Sequence, residues 1–192
     1  MVFKSTNERI DSLGAETEGR KVVFSILVEN NSGVLSHVSG LFSRRGYNIH
    51  SFSAGVTADH RLTRMTIVCS GDEQILEQIE KQLSKLEDVL FIKKLESHES
   101  VCRELILIKV SANEKTRQSI ISVADIFRAN IIDVTKESLI IELTGTTDKL
   151  DAFIDMLSDY QILELARTGI TGLSRGAADI QDAEKLLNRT YD

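Results

Sequence analysis

Apolar positions near the start of the chain fall on both sides of a two-residue period. Val22, Phe24, Ile26 and Val28 occupy one side, and Val23, Ser25 and Leu27 the other. A strand apolar on both faces belongs in the middle of a sheet rather than at its edge. A polar turn, Glu29-Asn30-Asn31-Ser32-Gly33, follows, and Val34, Leu35, Val38, Leu41 and Phe42 then recur at the spacing of one helical stripe. Arg44 and Arg45 fall in the last turn of that helix, where positive charge suits the dipole, and Gly46 supplies the stop. The pattern continues as a strand over 47–56, a polar loop over 58–61 and a strand over 62–70. Gly71-Asp72 opens a second helix with Ile75, Leu76, Ile79, Leu83 and Leu86 on one face, and 89–95 reads as a closing strand. The order is βαββαβ.

The pattern then starts again. A strand is predicted over 105–110, a helix over 114–129 with Ile120, Ile121, Ala124 and Phe127 on one face, strands over 131–135 and 139–144, a helix over 147–157 and a strand over 162–166. Residues echo between the halves: Phe42 and Phe127 each precede an Asn-Ile pair, Asn48-Ile49 and Asn130-Ile131, while Ile67, Gly71 and Leu76 match Ile141, Gly145 and Leu150. The first half is longer between its Asn-Ile pair and Ile67, an excess assigned to the connection between its second and third strands. Together these mark a duplicated unit. The fold class is α+β, with two tandem ferredoxin-like βαββαβ domains built from split βαβ crossovers. Residues 1–20 read as a mobile N-terminal extension, 21–96 as the first domain, 97–102 as a linker, 103–176 as the second domain, and 177–192 as a tail with a short amphipathic helix over 179–187. Such small units bury limited cores and leave one sheet face open, which favours oligomerisation.

Composition narrows the function. The 192 residues carry a net charge of -6, which argues against nucleic acid as the main partner. No apolar run reaches the length of a membrane span. The first twenty residues lack the apolar core of a secretory signal and carry Glu8, Asp11, Glu16 and Glu18, so a cytoplasmic location is expected. Cys69 and Cys102 share no metal-type spacing with a histidine, and Cys69 alternates with Met65 and Ile67 as a small hydrophobe would. His37, His50, His60 and His98 are scattered, and neither a nucleophile elbow nor a phosphate-binding glycine loop is present. The third strand carries no aromatic residue for stacking bases, and the turn at 29–33 no basic residue for holding a phosphate. No catalytic residue, metal ligand or resident cofactor is predicted.

What remains is the turn. A strand's carboxyl end feeding a helix start presents unpaired N–H groups and a positive dipole end, both suited to a carboxylate. Gly33 lets a ligand approach the backbone, and Asn30 and Asn48 supply amide donors and acceptors on the two flanks. The same residues also fit a plain helix start in which Asn31 or Ser32 is the N-cap.

The strings Leu27-Val28-Glu29-Asn30-Asn31-Ser32-Gly33-Val34-Leu35-Ser36 and Gly40-Leu41-Phe42-Ser43-Arg44-Arg45-Gly46-Tyr47-Asn48-Ile49 resemble the ACT domain of acetolactate (acetohydroxyacid) synthase small subunits. Arg64-Met65-Thr66-Ile67, Phe127-Arg128-Ala129-Asn130-Ile131, Ala166-Arg167-Thr168-Gly169 and Gly172-Leu173-Ser174-Arg175-Gly176 extend the resemblance over roughly residues 21 to 176. It implies a regulatory subunit with no active site of its own, in branched-chain amino acid biosynthesis. Its partner would be the large catalytic subunit, which holds thiamine diphosphate, magnesium and FAD. The chain would activate that subunit and confer feedback inhibition by valine or another branched-chain amino acid, bound between two ACT domains of a homodimer. The matched effector positions are Asn30, Gly33, Val34, Leu35, Asn48 and Ile49. The helix start near Gly33 would take the α-carboxylate, the Asn48 region the ammonium, and Val34, Leu35 and Ile49 the aliphatic side chain. Because one methylene is worth only about 1–3 kcal/mol, valine, leucine and isoleucine are not separable on these residues. A stand-alone tandem ACT module regulating another enzyme or gene expression is the alternative. The exposed connection at 57–61 is expected to reach the catalytic partner.

Overall fold

The computed structural model describes residues 20–176. The predicted extension, apart from Arg20, and the predicted helix over 179–187 lie outside the described residues. The chain divides into two compact units between Leu95 and Glu96.

In the first unit, β1 (Arg20–Glu29), α1 (Val34–Arg45), β2 (Ile49–Val56), β3 (Leu62–Gly71), α2 (Glu73–Leu83) and β4 (Val89–Lys94) follow in the predicted order. The sheet order is β2-β3-β1-β4, with every neighbouring pair antiparallel. The doubly apolar β1 therefore sits between two strands, as its pattern requires. Phe24, Ile26 and Val28 of β1, Val38 and Phe42 of α1, and Ile79 and Leu83 of α2 share one core with Met65, Ile67 and Cys69. Both helices thus cover the same sheet face. Complete burial of Phe24 or Ile26 contributes about 2–3 kcal/mol each. Cys69 is fully buried, and that burial pushes its thiol up to about 11. On α2, Asp72 caps the helix by accepting the Ile75 N–H at 2.8 Å.

The second unit comprises β5 (Ser100–Ser111), α3 (Arg117–Phe127), β6 (Asn130–Val134), β7 (Ser138–Gly145), α4 (Thr147–Met156), β8 (Ile162–Arg167) and β9 (Thr171–Ser174). Its sheet order, β6-β7-β5-β8, repeats that of the first. Two expectations change here. Residues 100–102, assigned to the linker, already belong to β5, whose first residues Ser100 to Arg103 pair with β9. Neither Ser-Val-Cys-Arg nor Thr-Gly-Leu-Ser carries a periodic apolar signal, so this pairing is set by register and not by pattern. The helix predicted from 114 starts at Arg117, because Asn113 Oδ1 accepts the N–H groups of Lys115 and Thr116 and folds 113–116 into a turn.

The duplication is structural in detail. β1 and β5 each shift register against their outer neighbour, at Leu27/Val28 and at Lys109/Val110. Gly71 and Gly145 match: a Cβ on either would lie 2.7 Å from Ile75 Cγ2 or 2.8 Å from Lys149 Cδ. Phe42 and Phe127 do not match. The Tyr47 N–H donates to the Phe42 carbonyl and the Ala129 N–H to the Ala124 carbonyl, so Ala124 is the counterpart of Phe42. The excess length of the first half also lies only partly in the connection. β2 has 8 residues against 5 in β6, and β3 has 10 against 8 in β7.

Candidate effector site at the start of the first helix

β1 ends at Glu29, and the chain turns through 30–33 into α1. Gly33 is the N-cap residue, in the left-handed region at φ 95°, and no side chain caps the helix. The Asn31 amide points back to Glu29 Oε2 at 2.7 Å, so the plain reading with Asn31 as N-cap does not hold. The first intrahelical bond runs from the His37 N–H to the Gly33 carbonyl; the Val34 N–H donates to the Asn31 carbonyl, and the N–H groups of Leu35 and Ser36 are left directed outward. A Cβ at Gly33 would meet nothing within 4 Å. The glycine is required by its backbone angle, and the space beside it is open.

Two neighbouring loops hold this turn. Asn30 donates its backbone N–H to the Arg61 carbonyl (2.7 Å), donates from Nδ2 to the His60 carbonyl (2.9 Å), and accepts the Thr63 hydroxyl at Oδ1 (2.9 Å). On the other side His37 Nδ1 lies 2.7 Å from Asp88 Oδ2. The loop 57–61 is itself clasped. Asp59 accepts Arg61 Nε and Nη2 at 2.6–3.1 Å and also the Arg61 backbone N–H. The Thr57 hydroxyl donates to the Asp59 carbonyl. The Arg61 guanidinium, with the Arg61 N–H, holds the Asp59 carboxyl down at about 2, from an ordinary 3.8. A depressed carboxyl pKa means the clasp is complete above pH 3.8 and is lost as pH falls through about 2. An NMR titration of Asp59 is expected to show a midpoint near pH 2, and a midpoint near 3.8 would refute the clasp.

The six predicted residues do not converge within one chain. Asn30, Gly33 and Leu35 share the end where β1 stops and α1 begins. Asn48 and Ile49 lie at the other end of the sheet, because β2 starts opposite Cys69 and reaches Thr63 only at Val56. The length of β2, at about 3.3 Å per residue, separates the two groups by roughly 25 Å. One amino acid cannot bridge that distance, so the flanking arrangement of Asn30 and Asn48 is corrected for a single protomer. Val34 is 3% exposed and belongs to the core, and its N–H donates to the Asn31 carbonyl at 3.5 Å, so neither its side chain nor its N–H is presented to a ligand. Leu35, 52% exposed, does face outward, as does Val56 at 59%. A groove of about 730 Å³ lies along α2 and β4, lined by Glu77, Glu80 and Phe91 among others, and no candidate residue touches it. A ligand at the exposed turn needs a second surface to exclude water.

The second unit handles the same junction differently. The Ala112 N–H donates to the Glu137 carbonyl at 2.8 Å, matching the Asn30 to Arg61 bond. The side-chain bridge comes from Arg117, whose guanidinium donates to the Ala112 and Lys136 carbonyls. A cation rooted in the helix start fills this corner, and the Asn113 amide beside it accepts the N–H groups of Lys115 and Thr116 rather than bridging to the hairpin. Thr63 and the His60 carbonyl, which position Asn30, escaped the sequence reading. Their signal was available, since antiparallel pairing of β1 with β3 places the residue after β1 beside the start of β3.

Among the described residues no group of His, Cys, Asp and Glu could hold a metal ion, and no helix is long and apolar enough to cross a membrane. A ferredoxin-like unit with an open turn after β1, followed by a second ferredoxin-like unit, is a tandem ACT-type arrangement. The family model described as an AHAS small subunit-like ACT domain matches residues 24–91, and that described as the small subunit of acetolactate synthase matches 103–176. The acetolactate synthase isozyme 3 small subunit of Salmonella typhimurium is 51% identical over 155 residues, covering 80% of this chain and 95% of that one. The acetolactate synthase small subunit of Mycolicibacterium smegmatis is 49% identical over 160 residues, covering 83% and 94%. The crystal structure of the Thermotoga maritima acetolactate synthase small subunit superposes with a TM-score of 0.77 at 41% identity, covering 83% of this chain and 99% of that one. The chain belongs to the acetolactate synthase small-subunit family.

Proposed function

We infer that this chain binds the large catalytic subunit of acetolactate synthase, raises its activity, and makes it inhibitable by valine or a related branched-chain amino acid. The observation that carries the effector reading is the uncapped start of α1 at Gly33. Its outward N–H groups suit an α-carboxylate, and Leu35 lies beside them for an aliphatic side chain.

The ammonium requires a second copy. Among the described residues β2 has one strand neighbour, β3, so it is an edge of the sheet. Antiparallel pairing of β2 with the same strand of another copy, about a two-fold near mid-strand, brings that copy's Asn48 and Ile49 beside Val56 and the loop 57–61. The loop holds Asn30, so the two halves of the predicted set meet across the dimer. Water exclusion at that boundary strengthens each polar contact. Thiamine diphosphate, magnesium and FAD are assigned to the catalytic partner, and the assembly to the cytoplasm.

The test is an activity assay of the catalytic subunit with and without this chain, titrated with valine, leucine and isoleucine. Activation together with inhibition by at least one of the three is expected. Thermal shift adds a binding readout, since ligand at 100 times its Kd stabilises by about 2.7 kcal/mol. Failure to activate any thiamine-enzyme subunit, with amino-acid binding intact, would favour a stand-alone regulator.

A further inference from the structure

The loop 57–61 is joined to the effector turn through one side chain. Asn30 places one N–H on the His60 carbonyl and one lone pair on the Thr63 hydroxyl. A carboxamide has two donors and two acceptor sites, so one of each remains for a ligand while the tether holds. The loop in turn is braced by the Asp59–Arg61 clasp and the Thr57 hydroxyl, so a pull at Asn30 moves it as a body. Its tip residues Ala58, His60 and Arg61 are exposed. We propose that Asn30 is a relay: occupancy of the effector turn is transmitted through the Asn30–Thr63–His60 bonds to the loop 57–61, which carries the inhibitory signal to the catalytic subunit. The proposal rests on the effector reading above and adds the route by which the site reports its state.

The second unit shows why a purely structural role must be tested against. There the equivalent corner is bridged too, but by Arg117 to backbone carbonyls, while Asn113 turns its Oδ1 to the N–H groups of Lys115 and Thr116 and makes no hydrogen bond to the hairpin. A bridge that only holds the hairpin down needs no spare donor. The Asn30 arrangement keeps one.

The experiment compares the unaltered chain with Thr63→Val, which removes the hydroxyl at nearly constant shape, and with Asp59→Ala, which releases the clasp. Each is combined with the catalytic subunit, and valine binding to the chain is measured separately by calorimetry. Loss of one hydrogen bond is expected to change valine affinity by about two- to tenfold. The extent of inhibition at saturating valine is expected to fall by more than half in both variants, with activation without valine unchanged in Thr63→Val. Backbone hydrogen exchange at 57–62 is expected to respond to valine in the unaltered chain and not in Thr63→Val. Inhibition as complete in both variants as in the unaltered chain would overturn the relay. If the unaltered chain binds none of valine, leucine and isoleucine, the effector site falls and the relay with it. The two failures are told apart by the calorimetry.

Discussion

Gly33→Asp is expected to abolish inhibition by valine while leaving activation of the catalytic subunit in place. The substitution meets no steric obstacle, because the space a Cβ would enter is open. Its backbone cost is real but bounded: φ of 95° holds a non-glycine residue in the left-handed region, at about 1–2 kcal/mol. The functional effect comes from charge. The new carboxylate lies where the effector's own carboxylate is proposed to sit, and it can occupy the outward N–H groups of the helix start itself. Two anions against one water-poor boundary repel by several kcal/mol, so the inhibitory concentration is expected to rise by about a hundredfold or more. Gly33→Ala carries the same backbone strain without the charge and is expected to remain inhibitable. Inhibition curves for the reconstituted enzyme, read beside melting profiles of the two chains, separate strain from charge. A folded Gly33→Asp chain with unaltered valine sensitivity would move the effector site away from α1.

The elements were legible where apolar periodicity is strong. β1 reads as central because both of its faces are apolar, and it lies between β3 and β4. α2 reads from Ile75, Leu76 and Ile79, and its cap from Asp72. What pattern does not encode is register. β9 pairs Leu173 with Val101 and Thr171 with Arg103, residues with no shared periodic signal, so the strand was read as chain beyond the last element. The Asn113 turn was missed for a related reason, since Asn-Glu-Lys-Thr is polar enough for either a loop or a first helical turn and only the side-chain bond decides.

The site was legible in its parts and not in its assembly. The turn and Gly33 follow from sequence, because they are local to ten residues, whereas the open helix start does not, since Asn31 and Ser32 fit an N-cap equally well and only the bond from the Asn31 amide to Glu29 decides. The relation of Asn30 to Asn48 does not follow either. The helix between them carries the chain back along the sheet, and β2, parallel to β1, starts at the far end, so they occupy opposite ends of one protomer however close they look along the chain. Val34 shows the same limit on a smaller scale. Adjacent residues on a helix differ by about 100° in direction, which places Val34 in the core and Leu35 outside it.

Arg167→Met is expected to destabilise the second unit far more than Glu104→Gln, although the two residues form one ion pair. Glu104 is 6% exposed, and both of its oxygens are taken by Arg167, from Nε at 2.9 Å and from Nη2 at 2.9 Å. Arg167 is about one-third exposed, and its Nη1 also donates to Asp151 at 2.8 Å. The Glu104 carboxylate, with Asp151 helping against the cost of burial, holds the guanidinium above its ordinary range. Removing the arginine strands a carboxylate that water does not reach. Breaking a buried pair in this way costs 3–5 kcal/mol, and the exposed third of Arg167 lowers the expectation to about 3 kcal/mol. Glu104→Gln leaves a neutral acceptor and an arginine that still has Asp151 and solvent, so about 1 kcal/mol is expected. The double change Arg167→Met with Glu104→Leu leaves no charge stranded and should recover most of the loss. Urea unfolding with an unchanged slope is the measurement. Equal midpoints for Arg167→Met and Glu104→Gln would mean that water reaches Glu104 in the folded unit and that its charge is screened without its partner.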